Sequence, residues 1–255
     1  MRTKKLISLV LISLLAVMTG CMIDSSITGL DGDHNNNNTP KIYGSGKTIS
    51  LIKDFKDFNT LDLNSGFIVN VIRGDKYFVS IEVDDNIAGY VTSYQSGGKV
   101  YISLKSGYSY SNVTLKIVVE TPDLETIKAN GGVALEFTGN ENYDNLLLEL
   151  NGGSTVKGVL NINSLDLKLN GGSVVNLSGT SKNLEISGNG GAVLNLFNFP
   201  ADTCNLYFNG GCIAYLNVTS LLNASLSGGS IVKYKGNPTI GNISISGGSI
   251  IQRDN

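Results

Sequence analysis

The sequence predicts an all-β protein, a parallel β-helix or β-solenoid with coils of about 19–20 residues that turn at Asn-Gly-Gly corners. Three observations predict it. First, Gly-Gly pairs begin at Gly131, Gly152, Gly171, Gly190, Gly210, Gly228 and Gly247, with successive spacings of 21, 19, 19, 20, 18 and 19 residues. A fixed period of this size marks stacked units, each too small to bury its own apolar face. Second, apolar and polar residues alternate on both sides of each pair, as in Leu167 and Leu169 before one corner and Val175 and Leu177 after it. A period of two means strand with one face buried. Third, Gly makes up 31 of 255 residues against only 4 Pro and no Trp, and no long amphipathic helix is visible after the N-terminal segment.

The chain begins with a signal segment over residues 1–20. Arg2, Lys4 and Lys5 form a positive n-region, and Leu6 to Met18 is an apolar run of 13 residues, too short to span a bilayer. The run ends Val17-Met18-Thr19-Gly20-Cys21, which resembles a bacterial lipobox, so Cys21 is the expected lipid-attachment site. Several acyl chains on one residue hold a protein at a membrane where a single chain is marginal. An ordinary secretory signal followed by a coincidental Cys is the alternative.

Residues 21–41 read as a disordered tether, polar and featureless through Asp24-Ser25-Ser26 and Asn35 to Asn38. Residues 42–125 are strand-rich but irregular. Ser65-Gly66 and Gly97-Gly98 echo the repeat corners, which suggests degenerate first coils with insertions; a separate small β-domain is the alternative. Residues 126–255 carry the regular repeats.

The corner composition has a physical basis. Asn or Ser precedes every pair (Asn130, Asn151, Asn170, Asn189, Asn209, Ser227, Ser246), and Gly and Asn tolerate the positive φ of a sharp bend. Stacked Asn amides are expected to hydrogen-bond from coil to coil. The residue after the pair is small in six of seven coils (Ser154, Ser173, Ala192, Cys212, Ser230, Ser249, against Val133), because a large side chain there would strike the next strand. If each corner were a hairpin turn, the same pattern would give an antiparallel meander or sandwich. The period is long for that reading.

The runs Phe58-Asn59-Thr60-Leu61-Asp62-Leu63-Asn64-Ser65-Gly66, Val69-Asn70-Val71-Ile72-Arg73-Gly74 and Thr121-Pro122-Asp123-Leu124-Glu125, followed by Gly-Gly coils, resemble the putative auto-transporter adhesin, head-GIN domain family. The resemblance covers residues 42–250 and implies a β-helical lipoprotein of a bacterial surface or periplasm. It supplies no catalytic residues. No C-terminal membrane-barrel segment is visible, so self-transport is not carried over.

The search for chemistry is mostly negative. The one histidine, His34, follows an EF-hand-like Asp31-Gly32-Asp33, but Asn36 and Ile42 stand where such a loop needs Gly and Glu. No metal or other cofactor is expected. The charges of the repeats are scattered, and Asp166 and Lys168 read as a compensating surface pair. A net charge of −2 without a basic patch argues against nucleic acid. Arg73-Gly74-Asp75 falls where a strand-ending turn is expected. Cys204 and Cys212 should be buried free thiols, since the strand between them holds them too far apart for a disulfide.

The best contact surface is Ser106-Gly107-Tyr108-Ser109-Tyr110-Ser111-Asn112, whose composition suits an adaptable binding loop. Tyr108 and Tyr110 are its expected ligand contacts, and the loop is expected to contribute little to folding. Tyr207 and Tyr215 also fall at outward positions, where rings can stack on sugars. The leading function is a non-catalytic, lipid-anchored cell-envelope protein with an adhesin-like role, binding a glycan or a surface protein. A purely structural envelope protein and a carbohydrate-active enzyme are the alternatives.

Overall fold

The computed structural model of the chain describes residues 39–254. Cys21, His34 and the signal segment lie outside the described residues, as does all but the end of the tether. The architecture is a parallel β-solenoid of about seven turns spaced about 19 residues apart. No α-helix occurs among the described residues; Ala88–Tyr90 form a single 3-10 turn.

Each regular turn is one bent strand that runs from corner to corner. Ala134–Asn151, Thr155–Gly171, Val174–Gly190, Val193–Gly210 and Ile213–Ser227 each pair parallel with the next. The register places Gly171 opposite Gly190 and Gly190 opposite Gly210, so the corners stack in one column and the hairpin alternative falls. The amide ladder forms as expected. Asn151 Nδ2 donates to Asn130 Oδ1 (2.8 Å), Asn170 Nδ2 to Asn151 Oδ1 (2.7 Å) and Asn189 Nδ2 to Asn170 Oδ1 (3.3 Å).

The residue after each corner does more than stay small. Ser154 Oγ donates to the Asn151 carbonyl at 2.8 Å, and Ser173 Oγ lies 3.0 Å from the Leu150 and Asn170 carbonyls. Ser230 Oγ is 2.7 Å from the Gly210 carbonyl. These hydroxyls satisfy acceptors that the bend turns inward, where an unpaired carbonyl would be costly.

A second bend lies midway along the strands, and its glycines follow no strict period. Gly179 sits at φ +112°, and a Cβ there would strike the Leu160 carbonyl of the preceding coil. In the strand Val193–Gly210 the register shifts between Leu196 and Pro200 instead. The repeat pattern did not reveal this bend because Gly, Pro and bulges serve it interchangeably.

The interior is a single stack of aliphatic columns, such as Leu148, Leu167, Ile186 and Leu206, all fully buried. Burying one such side chain is worth roughly 1.5–3 kcal/mol, and each needs the coils on both sides to do so. Ile240 and Ile245 end the two neighbouring columns and are 48% and 45% exposed, because no described coil stacks beyond them.

Residues 39–125 continue the same core. Thr60–Leu63 and Ile68–Arg73 form a turn bent at Ser65 and Gly66, both at positive φ, and pair parallel with the first regular coil. Lys99–Leu104 and Leu115–Thr121 stack on its other side. The spatial order therefore differs from the chain order. The Gly97-Gly98 pair, expected to be a coil corner, is the turn of an antiparallel hairpin between Val91–Ser96 and Lys99–Leu104. Beyond Leu115–Thr121 the same sheet ends in Phe78–Asp84 and Thr48–Lys53, which pair antiparallel. Buried Asp84 pins this end: its Oδ1 accepts the Gly46 N–H at 2.7 Å and its Oδ2 the Thr114 N–H at 2.6 Å.

Candidate functional site

Five of the 11 tyrosines fall between residues 90 and 110, and the hairpin end of the solenoid brings them together. The 3-10 turn Ala88–Tyr90 delivers the Tyr90 ring, the edge strand Val91–Ser96 carries Tyr94, and Lys99–Leu104 carries Tyr101. Tyr94 stacks on Tyr101 with ring centres 5.0 Å apart and planes 28° apart. Tyr90 meets Tyr108 edge-on at 5.0 Å and Tyr110 at 6.0 Å. Lys105 Nζ lies 5.9 Å above the Tyr90 ring.

The two expected contact residues are adjacent but not equivalent. Tyr108 is 39% exposed and borders an open hollow of about 420 Å³ lined also by Thr92, Tyr101, Ser103 and Lys105. Tyr110 is not on a free loop. It lies in the strand Ser109–Ser111, which pairs parallel with Lys41–Tyr43, and it packs against the core. Its hydroxyl donates to the Lys105 carbonyl at 2.9 Å. Burial, with smaller contributions from Tyr108 and Tyr90, raises its phenol pKa above the ordinary value. The expectation that this segment adds little to folding is therefore corrected, because Tyr110 packs against the core, its hydroxyl is bonded and its strand is paired. Sequence reasoning missed Tyr90, Tyr94 and Tyr101; the local density of tyrosine was the available signal.

Four carboxylates of the solenoid are engaged with lysines. Asp62 pairs with Lys99 (2.5 Å), Glu149 with Lys128 (2.8 Å), Glu136 with Lys157 (3.0 Å) and Asp166 with Lys168 (3.7 Å). Cys204 and Cys212 are buried free thiols; burial pushes Cys204 up to about 12 and raises Cys212 as well. Thiols so placed are inert at neutral pH, because the thiolate is the reactive form. Among the described residues, no group of three or more His, Cys, Asp or Glu side chains could hold a metal ion. Arg73 ends the strand Ile68–Arg73 and lies 5.3 Å from the Tyr143 ring centre, and Gly74-Asp75 fall in the turn that follows. The tyrosine surface thus offers ring faces, hydroxyls and one ammonium group, which are elements of binding.

Residues 57–238 match the family described as putative auto-transporter adhesin, head GIN domain. The chain belongs to this family. Solved structures of similar fold share the solenoid. A putative adhesin from Bacteroides fragilis superposes with a TM-score of 0.77 at 23% identity, covering 84% of this chain and 100% of that one. A putative adhesin from Parabacteroides merdae gives 0.64 at 19% identity over 85% and 100%. A protein from Parabacteroides distasonis described as putative lipid binding gives 0.70 at 16% identity over 84% and 100%. At these identities the likeness establishes the fold alone. Comparison with functionally curated proteins returned no significant match.

Proposed function

We propose that this head-GIN adhesin-family chain is a non-catalytic binding protein of a bacterial cell envelope, held at a membrane by lipid on Cys21. Its ligand is a glycan or a surface protein, and its contact surface is the tyrosine edge centred on Tyr108. One observation carries the reading: Tyr101 and Tyr108 line an open hollow at the hairpin end of the solenoid, and the exposed Tyr94 stacks on Tyr101 beside it. Insertions in repeat proteins often form the binding face, and tyrosine supplies large, rigid contact area at low entropic cost. Membership of an adhesin family supports the role.

The test uses the full chain in a polyoxyethylene detergent, presented to immobilised oligosaccharides and glycoproteins. Tyr108→Ala and Tyr94→Ala should each weaken binding by about tenfold, equivalent to about 1.4 kcal/mol, without moving the unfolding midpoint. Tyr110→Ala is avoided because its ring is structural. Cys21→Ser should release the protein from membranes washed in high salt. Unchanged binding in both tyrosine variants would refute the site, and a Cys21→Ser protein that stays membrane-bound would refute the anchor.

A further inference from the structure

The outward face that precedes each Asn-Gly-Gly corner changes character along the solenoid. In the first coils it is a lattice of ion pairs formed by Asp62, Lys99, Lys128, Glu149, Asp166 and Lys168. Beyond Lys168 its own column carries no charge. In register, Lys168 is followed by Ser187, Tyr207, Ser225 and Ser244. The column on one side runs Glu185, Asn205, Asn223, and that on the other runs Asn189, Asn209, Ser227. Glu185 is the one ionised side chain among these ten residues.

Tyr207 stands at the centre of this neutral field, 51% exposed. Large neighbours usually cover an aromatic on a sheet through cross-strand pairing. Both of its in-register neighbours, Ser187 and Ser225, are small instead. Two open hollows result. One, of about 320 Å³, is bounded by Tyr207, Asn205, Asn223, Ser225 and Asn242. The other, of about 330 Å³, is bounded by Tyr207, Ser187, Asn189, Asn209 and Ser227. The other tyrosine expected to face outward, Tyr215, is instead occupied: it meets Phe197 edge-on at 5.3 Å.

We propose that the face around Tyr207 is a second binding site, specific for an uncharged glycan. The apolar face of a pyranose ring is complementary to an exposed aromatic ring, whose π surface attracts C–H groups carrying slight positive charge. The sugar hydroxyls both donate and accept, and so do the flanking side chains. Asn223 Nδ2 donates to Asn205 Oδ1 (2.9 Å), and Ser227 Oγ donates to Asn209 Oδ1 (3.2 Å). An amide has two N–H donors and two acceptor lone pairs, so a ladder bond leaves capacity for a ligand. Rungs about 4.8 Å apart match the length of one sugar unit, which lets a linear chain run along the columns. The absence of lysine and arginine from the field gives an anionic glycan no partner, and Glu185 repels one. The larger groove beside Asp144, Lys182 and Asp202 has mixed charge and no exposed ring, and so lacks this complementarity.

This inference rests on the adhesin-like reading of the chain but not on the Tyr108 surface. It is tested with the full chain in polyoxyethylene detergent, which carries no sugar. The probes are short linear oligosaccharides of glucose, galactose, mannose and N-acetylglucosamine, each paired with its sulfated counterpart. At least one neutral oligosaccharide should bind, and its sulfated form should bind more weakly. Tyr207→Ala should weaken binding about tenfold or more, while Tyr207→Phe, which keeps the ring, should retain most of it. Ser225→Arg provides a second variant that fills a hollow without touching the ring, and it should also weaken binding. Tyr108→Ala should leave this binding unchanged, which separates the two sites. Absence of binding by every neutral probe, a preference for the sulfated forms, or equal affinity in Tyr207→Ala and Ser225→Arg would overturn the proposal.

Discussion

Asn170 donates from Nδ2 to Asn151 Oδ1 across 2.7 Å, and Asn151 in turn donates to Asn130 at 2.8 Å, so one amide joins three successive coils. Neutral hydrogen bonds contribute about 0.5–1.5 kcal/mol each, so Asn151→Ala should destabilise the solenoid by about 1–3 kcal/mol. The measurement is the urea midpoint. A variant that unfolds with the wild type would show that water replaces the ladder without cost.

Asp84 is a structural clamp, and its removal should be more harmful than that of any exposed carboxylate. Asp84→Ala leaves the Gly46 and Thr114 N–H groups without their acceptor. Gly46 is exposed and can bond to water instead, so the loss should be about 1.5–3 kcal/mol, the worth of one hydrogen bond to a charged group. Hydrogen exchange should quicken at Gly46 and Thr114 before it quickens in the regular coils. Equal protection at those amides in the variant would contradict the clamp.

Two glycines separate sterics from composition. Gly179→Ala places a methyl against the Leu160 carbonyl at φ +112°, whereas a Cβ on Gly172 meets nothing within 4 Å. Gly179→Ala should therefore cost more than about 1 kcal/mol, while Gly172→Ala should be nearly neutral. Thermal unfolding of the two variants side by side is the check. Equal shifts would mean that the mid-strand bend relaxes freely.

Acid should loosen the first regular coils. Lys128, 2.8 Å from Glu149, holds the Glu149 carboxyl below its ordinary pKa through a hydrogen bond that outweighs desolvation. A lowered folded-state pKa stabilises the fold above the unfolded value of about 4.3, and that contribution is lost as pH falls through the folded pKa. Lys128→Met should flatten the fall in stability between mildly acidic and strongly acidic pH. A variant with the same acid limb as the wild type would place the sensitivity elsewhere.

Much of the architecture was legible because its causes are local and periodic. Asn170-Gly171-Gly172-Ser173 states a bend, a ladder rung and a small apex residue in four consecutive positions, and all three appear in the structure. The Gly97-Gly98 pair shows the limit. The same dipeptide serves a hairpin or a coil corner, and the choice depends on which strand pairs with Lys99–Leu104. Tyr110 read as a free loop residue because its partner strand, Lys41–Tyr43, lies far away in the sequence.

By itself the sequence determined the solenoid, its period, the inward columns and the corner column, since each follows from side-chain alternation and glycine backbone freedom within one repeat. Only the tertiary structure decided which surface residues are neighbours. Residues about 19 apart become adjacent on the outer face, which sets the bare Tyr207 ring between Ser187 and Ser225 and covers Tyr215 with Phe197. That adjacency depends on exact register, and a bulge such as the one between Leu196 and Pro200 changes it without altering the repeat that announces the fold.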